Sequence, residues 1–160
     1  MDEFTVFHTL LSLIELVSGF VVVVALLGSR VSTLWTGIFF VSAVLTDVTG
    51  FGFKAPFPLP SHIVGILSLI ALAVAILGLY KYHLAGAWRW IYAVCVAIAV
   101  YFDTFVAVAQ LFMKVPVFKT LAPTQSEPPF AVAQIIVLLI FVWLIYSAVK
   151  KFHPGMSAAH

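Results

Sequence analysis

Hydrophobic residues fall into five long stretches, at about residues 4–27, 33–51, 61–80, 88–112 and 130–149. A bilayer core about 30 Å thick needs about 20 apolar residues in a helix that rises about 1.5 Å per residue, and each stretch has that length. Strands of a β-barrel would alternate apolar and polar residues, and these stretches do not. The pattern predicts an all-α, polytopic integral membrane protein. We expect one transmembrane domain over residues 1–160, a bundle of five transmembrane helices with short loops.

Composition supports this fold class, because 64% of the residues are hydrophobic and only 9% are charged. A soluble domain is about half apolar and about a quarter charged. The lipid bilayer is therefore the expected partner, and a net charge of +2 gives no basic surface for nucleic acid. The single cysteine, Cys95, allows no internal disulfide, and the sequence has no HExxH, GxSxG or glycine-rich phosphate motif. The sequence therefore indicates no catalytic residue, and whether the protein is an enzyme stays open.

The connections are of two kinds. Residues 28–32 and 81–87 are predicted to be tight polar turns. Residues 52–60 and 113–129 are rich in proline, which breaks helices, so loops are expected there. These loops also carry Phe53, Phe57 and Phe118, which have no reason to stay in water. We expect both loops to fold back over the nearby end of the bundle.

Charge predicts an orientation. Five spans place the termini on opposite sides, with three lysines on the N-terminal side and five lysines and arginines on the other. The positive-inside rule then places the N-terminus outside and the C-terminus in the cytoplasm, in a membrane such as the bacterial inner membrane. Tryptophan and tyrosine, including Tyr92, cluster near the predicted cytoplasmic ends, where such rings are expected at headgroup level.

Polar residues inside the spans are the main functional signal, since they are expensive in hydrocarbon. Glu15 and Asp103 lie near the predicted midplane. Asp47, His8 and Gln134 lie about 6 Å inside their helix ends. His62 and Gln110 lie within about 3 Å of theirs. All seven are predicted in the half of the bundle nearer the N-terminus, which is the predicted outer half.

Their spacing predicts that these groups face inward. His8, Ser12 and Glu15 share one helical face, and Asp103 and Gln110 share another. An ionisable residue at mid-span costs about 2.5–3.5 kcal/mol on insertion scales, so an idle acid is not expected. We interpret the set as a site for transport or binding of a proton, a cation or a small ligand. Glu15 and Asp103 would be the deep carriers in a polar funnel completed by His8, Asp47, His62, Gln110 and Gln134.

Two other hypotheses fit the same residues. His8 and His62 lie on different helices at similar depth and could ligate a haem b from opposite faces. With neighbouring carboxylates they could instead bind a metal ion, or act on a quinone below the Phe/Pro loops. Alternatively, the chain is an accessory subunit of a larger membrane complex, and the transport hypothesis also favours a homo-oligomer. In a purely structural role, each acid would be protonated and donate one interhelical hydrogen bond, as Ser, Thr and Gln side chains also can.

Overall fold

The computed structural model describes residues 2–54 and 60–154. Within these ranges the α-helices, numbered in chain order, are α1 (Glu3–Leu27), α2 (Thr33–Gly50), α3 (Pro60–Ile76), α4 (Trp88–Lys114), α5 (Pro116–Leu121) and α6 (Pro128–Lys151). A π-helical turn at Leu77–Lys81 continues α3. All of these helices except the short α5 are long and apolar enough to cross a membrane. The predicted all-α class and the five spans are confirmed.

Helix boundaries follow local chemistry. Asp2 caps α1, because its carboxylate accepts a hydrogen bond from the Thr5 amide at 2.9 Å. Hydrogen bonding with the Thr5 side chain, and then with this amide, stabilises the ionised form and lowers the pKa of the exposed Asp2 carboxyl below its ordinary value. Prolines occupy the first turns of α5 and α6, where a helix needs no amide donor. The prediction of a loop over 113–129 was therefore wrong for Pro116–Leu121, since a proline at the start of a helix does not break it.

Four helices form a closed ring. α1 packs against α2, α2 against α3, α3 against α4, and α4 against α1. α6 lies outside this ring and packs against α4 and α1. The interior that α1–α4 enclose therefore receives one face from each of four helices, while α6 covers the seam between α1 and α4.

The outer surface is apolar along its length. Leu34, Val24 and Leu139 are among many large aliphatic residues with more than half of their area exposed. Such a surface suits lipid. The bundle core consists of residues such as Phe39, Leu72 and Val100, which are completely buried. Each helix thus has an interior face as well as a lipid-facing one.

The position of Tyr92 differs from the one predicted from the sequence. The tyrosine was predicted at headgroup level, but its exposed fraction is 0% and it belongs to the core. By contrast, Trp90, Trp143 and Tyr146 are exposed, as an interfacial position requires. Position near a helix end does not determine the direction of the side chain, and Tyr92 lies on the interior face of α4.

The loops at the N-terminal end of the bundle are packed in part. Phe118 of α5 contacts Phe112 at a ring-centroid distance of 5.3 Å, and Phe112 contacts Phe130 at 5.4 Å. Gln125 donates a hydrogen bond to the Ala109 carbonyl at 2.8 Å, which ties the segment before α6 to α4. Val117 nevertheless remains 68% exposed. In the other loop Phe53 is packed, whereas Phe57 lies outside the described residues.

Candidate functional site

The centre of the candidate site is a pair of carboxyl groups on neighbouring helices. Glu15 of α1 is 1% exposed, and its carboxyl group lies within hydrogen-bonding range of the Asp103 carboxyl of α4. The Thr46 hydroxyl of α2 lies beside the same carboxyl group of Glu15. Glu15 Oε1 and Asp103 Oδ2 are buried, and neither accepts a hydrogen bond from a donor in the described residues. Two carboxyl groups can share a hydrogen bond only when one of them holds a proton, which would supply the donor.

Asp47 extends this pair towards α3. Its carboxyl group is close to the Ser68 hydroxyl, and it interacts electrostatically with both Glu15 and Asp103. It lies beside Gly65 of α3, where a Cβ atom would be 3.9 Å from Asp47 Oδ1, an ordinary van der Waals contact. The carboxyl group is therefore directed into the ring rather than towards the loop that follows α2. All three acids predicted from the sequence are brought into one cluster.

The two predicted histidines lie nearer the N-terminal end, each beside an aromatic ring. The Nδ1 atom of His8 lies 2.9 Å from the Thr49 hydroxyl, and the Phe53 ring packs edge-on against the imidazole at 4.9 Å. His62 is 7% exposed and stacks on Phe51 at 5.4 Å. His8 thus links α1 to the end of α2, while His62 links α3 to the residue that follows α2.

Neither predicted glutamine contacts the acids. Gln134 of α6 donates to the Phe105 carbonyl of α4 at 3.1 Å, so it lies in the contact between α6 and the ring. Gln110 is exposed, although it shares a helical face with Asp103. Of the seven predicted site residues, Glu15, Asp47 and Asp103 thus lie together, and the two histidines lie nearer the N-terminal end of the bundle.

The sequence did not single out Thr46 and Ser68 as partners of the acids. Each belongs to a helical face of small or hydroxyl-bearing residues, Ser42 with Thr46 and Thr49, and Ser61 with Gly65 and Ser68, and this spacing is the signal that could have found them. For metal ions, the described part of the chain contains no group of three or more His, Cys, Asp or Glu side chains that could hold one. The chemistry that this site offers is hydrogen bonding and proton exchange, since carboxyl, hydroxyl and imidazole groups all donate and accept.

The sequence and the fold were compared with known proteins. The chain matches no family model, no curated protein and no solved structure.

Proposed function

We propose that the protein binds and transfers protons across or into the membrane, with Glu15 and Asp103 as the proton-carrying pair. The observation that carries the proposal is the contact between two buried carboxyl groups from different helices. Two like charges at such a distance in a medium of low dielectric constant repel strongly, so at most one negative charge is expected on the pair. The proton that remains is then shared, and the pair titrates as a unit.

A route for protons from the N-terminal end supports the proposal. Asp47 and Ser68 lie next to the pair, and His8 with Thr49 lies nearer the helix ends. Each of these groups can accept a proton or hydrogen bond on one side and donate on another. Chains of acids and histidines of this kind occur along the proton paths of pumps and transporters.

The energetic cost of the site also favours a function. Each acid near the bilayer centre costs about 2.5–3.5 kcal/mol on insertion scales, and this ring holds three acids within one cluster. A bundle that needed only tight packing would be served better by aliphatic residues at these positions, because replacing buried charged groups with apolar ones is often neutral or stabilising.

The test compares variants that cannot ionise but keep shape and much of the hydrogen bonding. Glu15→Gln and Asp103→Asn should reduce proton uptake by proteoliposomes, followed with an internal pH dye, by about tenfold or more. Glu3→Gln is the matched control, since Glu3 is exposed at the start of α1. Its uptake should equal that of the wild type. Equal uptake by all four proteins would refute the proposal and leave the carboxyl pair as an interhelical hydrogen bond.

A second measurement reads the protonation of the site without transport. A hydrophobic carbodiimide reacts with protonated carboxyl groups in apolar surroundings, and peptide mass spectrometry locates the adduct. We expect labelling at Glu15 in the wild type, with a yield that falls as pH rises. Asp103→Asn should change the pH at which labelling falls, because the two groups titrate together.

We further propose that the N-terminus faces the outside and the C-terminus the cytoplasm, as in a bacterial inner membrane. Five of the eight lysines and arginines lie on the C-terminal side of the spans, and this excess supports the orientation. The acid cluster would then open towards the outside. Reporter fusions after His160 and within residues 122–126 test the assignment. An external signal from the fusion after His160 would reverse it.

A further inference from the structure

The ring formed by α1–α4 has a buried interior that changes character along its length. Residues three or four positions apart on each helix form its interior face. These faces hold Glu15, Asp47, Ser68 and Asp103 towards the N-terminal end, and Thr36 and Tyr92 towards the C-terminal end. A largely apolar segment lies between the acids and the two hydroxyl groups.

The apolar segment is tightly closed. A Cβ atom on Gly19 would lie only 2.8 Å from Val100 Cγ2 and 3.1 Å from Phe39 Cε2, so α1 already contacts its neighbours there. Leu72 and Val96 are completely buried in the same part of the ring. Ser18 and Ser42 also lie between the acids and the hydroxyl groups, but their hydroxyls donate to carbonyls of their own helices. An otherwise apolar segment thus separates two polar regions of one interior.

The hydroxyl groups beyond this segment belong to Tyr92 and Thr36. Both residues are at most 1% exposed, and their hydroxyl groups lie near each other. Neither Tyr92 Oη nor Thr36 Oγ1 has a hydrogen-bond partner in the described ranges. Since α2 and α4 lie diagonally in the ring, the tyrosine reaches across the interior. Buried hydroxyl groups without hydrogen-bond partners destabilise a fold, whereas an exposed tyrosine near this helix end would avoid that cost.

We infer that Tyr92 and Thr36 form a second proton-exchange site on the C-terminal side of the apolar segment. This inference rests on the proposed function and names the second half of its path. An incoming proton binds to a hydroxyl oxygen while the original hydroxyl proton passes to the next acceptor, so the pair stays neutral throughout. Along α4 the hydroxyl pair lies about 16 Å from the acids, too far for direct transfer. Proton transfer between the two sites therefore requires transient water in the apolar segment. When it is dry, this segment is the barrier of the path.

The experiment removes each hydroxyl group and keeps the packing. Tyr92→Phe and Thr36→Val should each lower proton uptake by proteoliposomes by about tenfold or more. Carbodiimide labelling of Glu15 should stay at the wild-type level in both, because the acids keep their access from the N-terminal end. Tyr146→Phe is the matched control, since Tyr146 is exposed on the outer surface and its loss of a hydroxyl should change neither readout.

The remaining outcomes distinguish this inference from the proposed function. If Glu15→Gln abolishes uptake while Tyr92→Phe and Thr36→Val conduct normally, the second site is wrong and the carboxyl pair stands. If the hydroxyl variants lose Glu15 labelling together with uptake, they act on the structure of the acid site, and the second site is again wrong. If the wild type takes up no protons, both proposals fail. The two variants lie on different helices, so if one of them fails to fold, the other still tests the inference.

Discussion

Gly19 is a position at which added volume would meet close neighbours in the ring. In Gly19→Ala the new Cβ would lie 2.8 Å from Val100 Cγ2 and 3.1 Å from Phe39 Cε2. Carbon atoms prefer separations of about 3.5–4.0 Å, so both neighbours must move. Both are completely buried, and valine in a helix has one strongly preferred rotamer. We therefore expect the strain to be shared between side chains and the helix backbone.

The magnitude follows from two opposing effects. Overpacking a closed core costs about 1–3 kcal/mol, while alanine favours a helix over glycine by about 0.5–1 kcal/mol. Gly37→Ala on α2 is the matched control, because a Cβ there has no heavy atom within 4 Å. The control variant should gain only the stability that alanine adds to a helix relative to glycine. The difference in free energy of unfolding between the two variants should thus be about 1–3 kcal/mol, with Gly19→Ala the less stable.

Reversible unfolding in detergent, with both variants in the same buffer, measures this difference. Val100→Ala supplies a double-mutant cycle, because it removes the methyl group nearest to the new Cβ. Gly19→Ala should cost less in the Val100→Ala background, with a coupling energy of about 0.5–3 kcal/mol. If Gly19→Ala is as stable as Gly37→Ala, or if Val100→Ala gives no rescue, the close contact of α1 with α4 is not as described.

Three further predictions test other contacts. The pKa of Asp2 is lowered by hydrogen bonding with the Thr5 side chain and then the Thr5 amide, so its capping of α1 is present above about pH 4 and is lost as pH falls further; the protection factor of the Thr5 amide in hydrogen exchange should fall at low pH, and less so in Asp2→Asn. Arg89 donates to two carbonyls at the end of α6, so Arg89→Met should destabilise the bundle by about 1.5–3 kcal/mol and expose the C-terminal segment to trypsin. Gln134→Leu loses only the bond to Phe105 and should cost about 0.6 kcal/mol in unfolding free energy without changing proton uptake.

The sequence predicted the spans well because bilayer thickness sets their length. The apolar stretches at 4–27 and 88–112 match Glu3–Leu27 and Trp88–Lys114 to within two residues. It also placed Glu15 and Asp103 at similar depth, since depth depends only on distance from a helix end. Their contact needed the structure, because it depends on α1 and α4 being neighbours in the ring.

The rotation of each helix about its own axis was harder to predict from the sequence than the bounds of the spans. Periodicity shows which residues of one helix share a face, but not which face meets a neighbouring helix. Gln110 shares a face with Asp103 and is still exposed, while Tyr92 is buried at a depth where tyrosine is usually interfacial. Both results depend on interhelical packing, which a single sequence does not encode as a visible pattern.

The position of Gly19 connects the packing of the ring with its proposed chemistry. A glycine in a membrane helix permits close helix contact, and here that contact falls between the acids and the hydroxyl pair. A path that admits protons must also block them when closed, which requires a dry segment as much as it requires ionisable groups. The close contact at Gly19 therefore lies where such a segment is needed, between Glu15 with Asp103 and Tyr92 with Thr36. A merely structural bundle would not need unpartnered buried polar groups on both sides of such a segment.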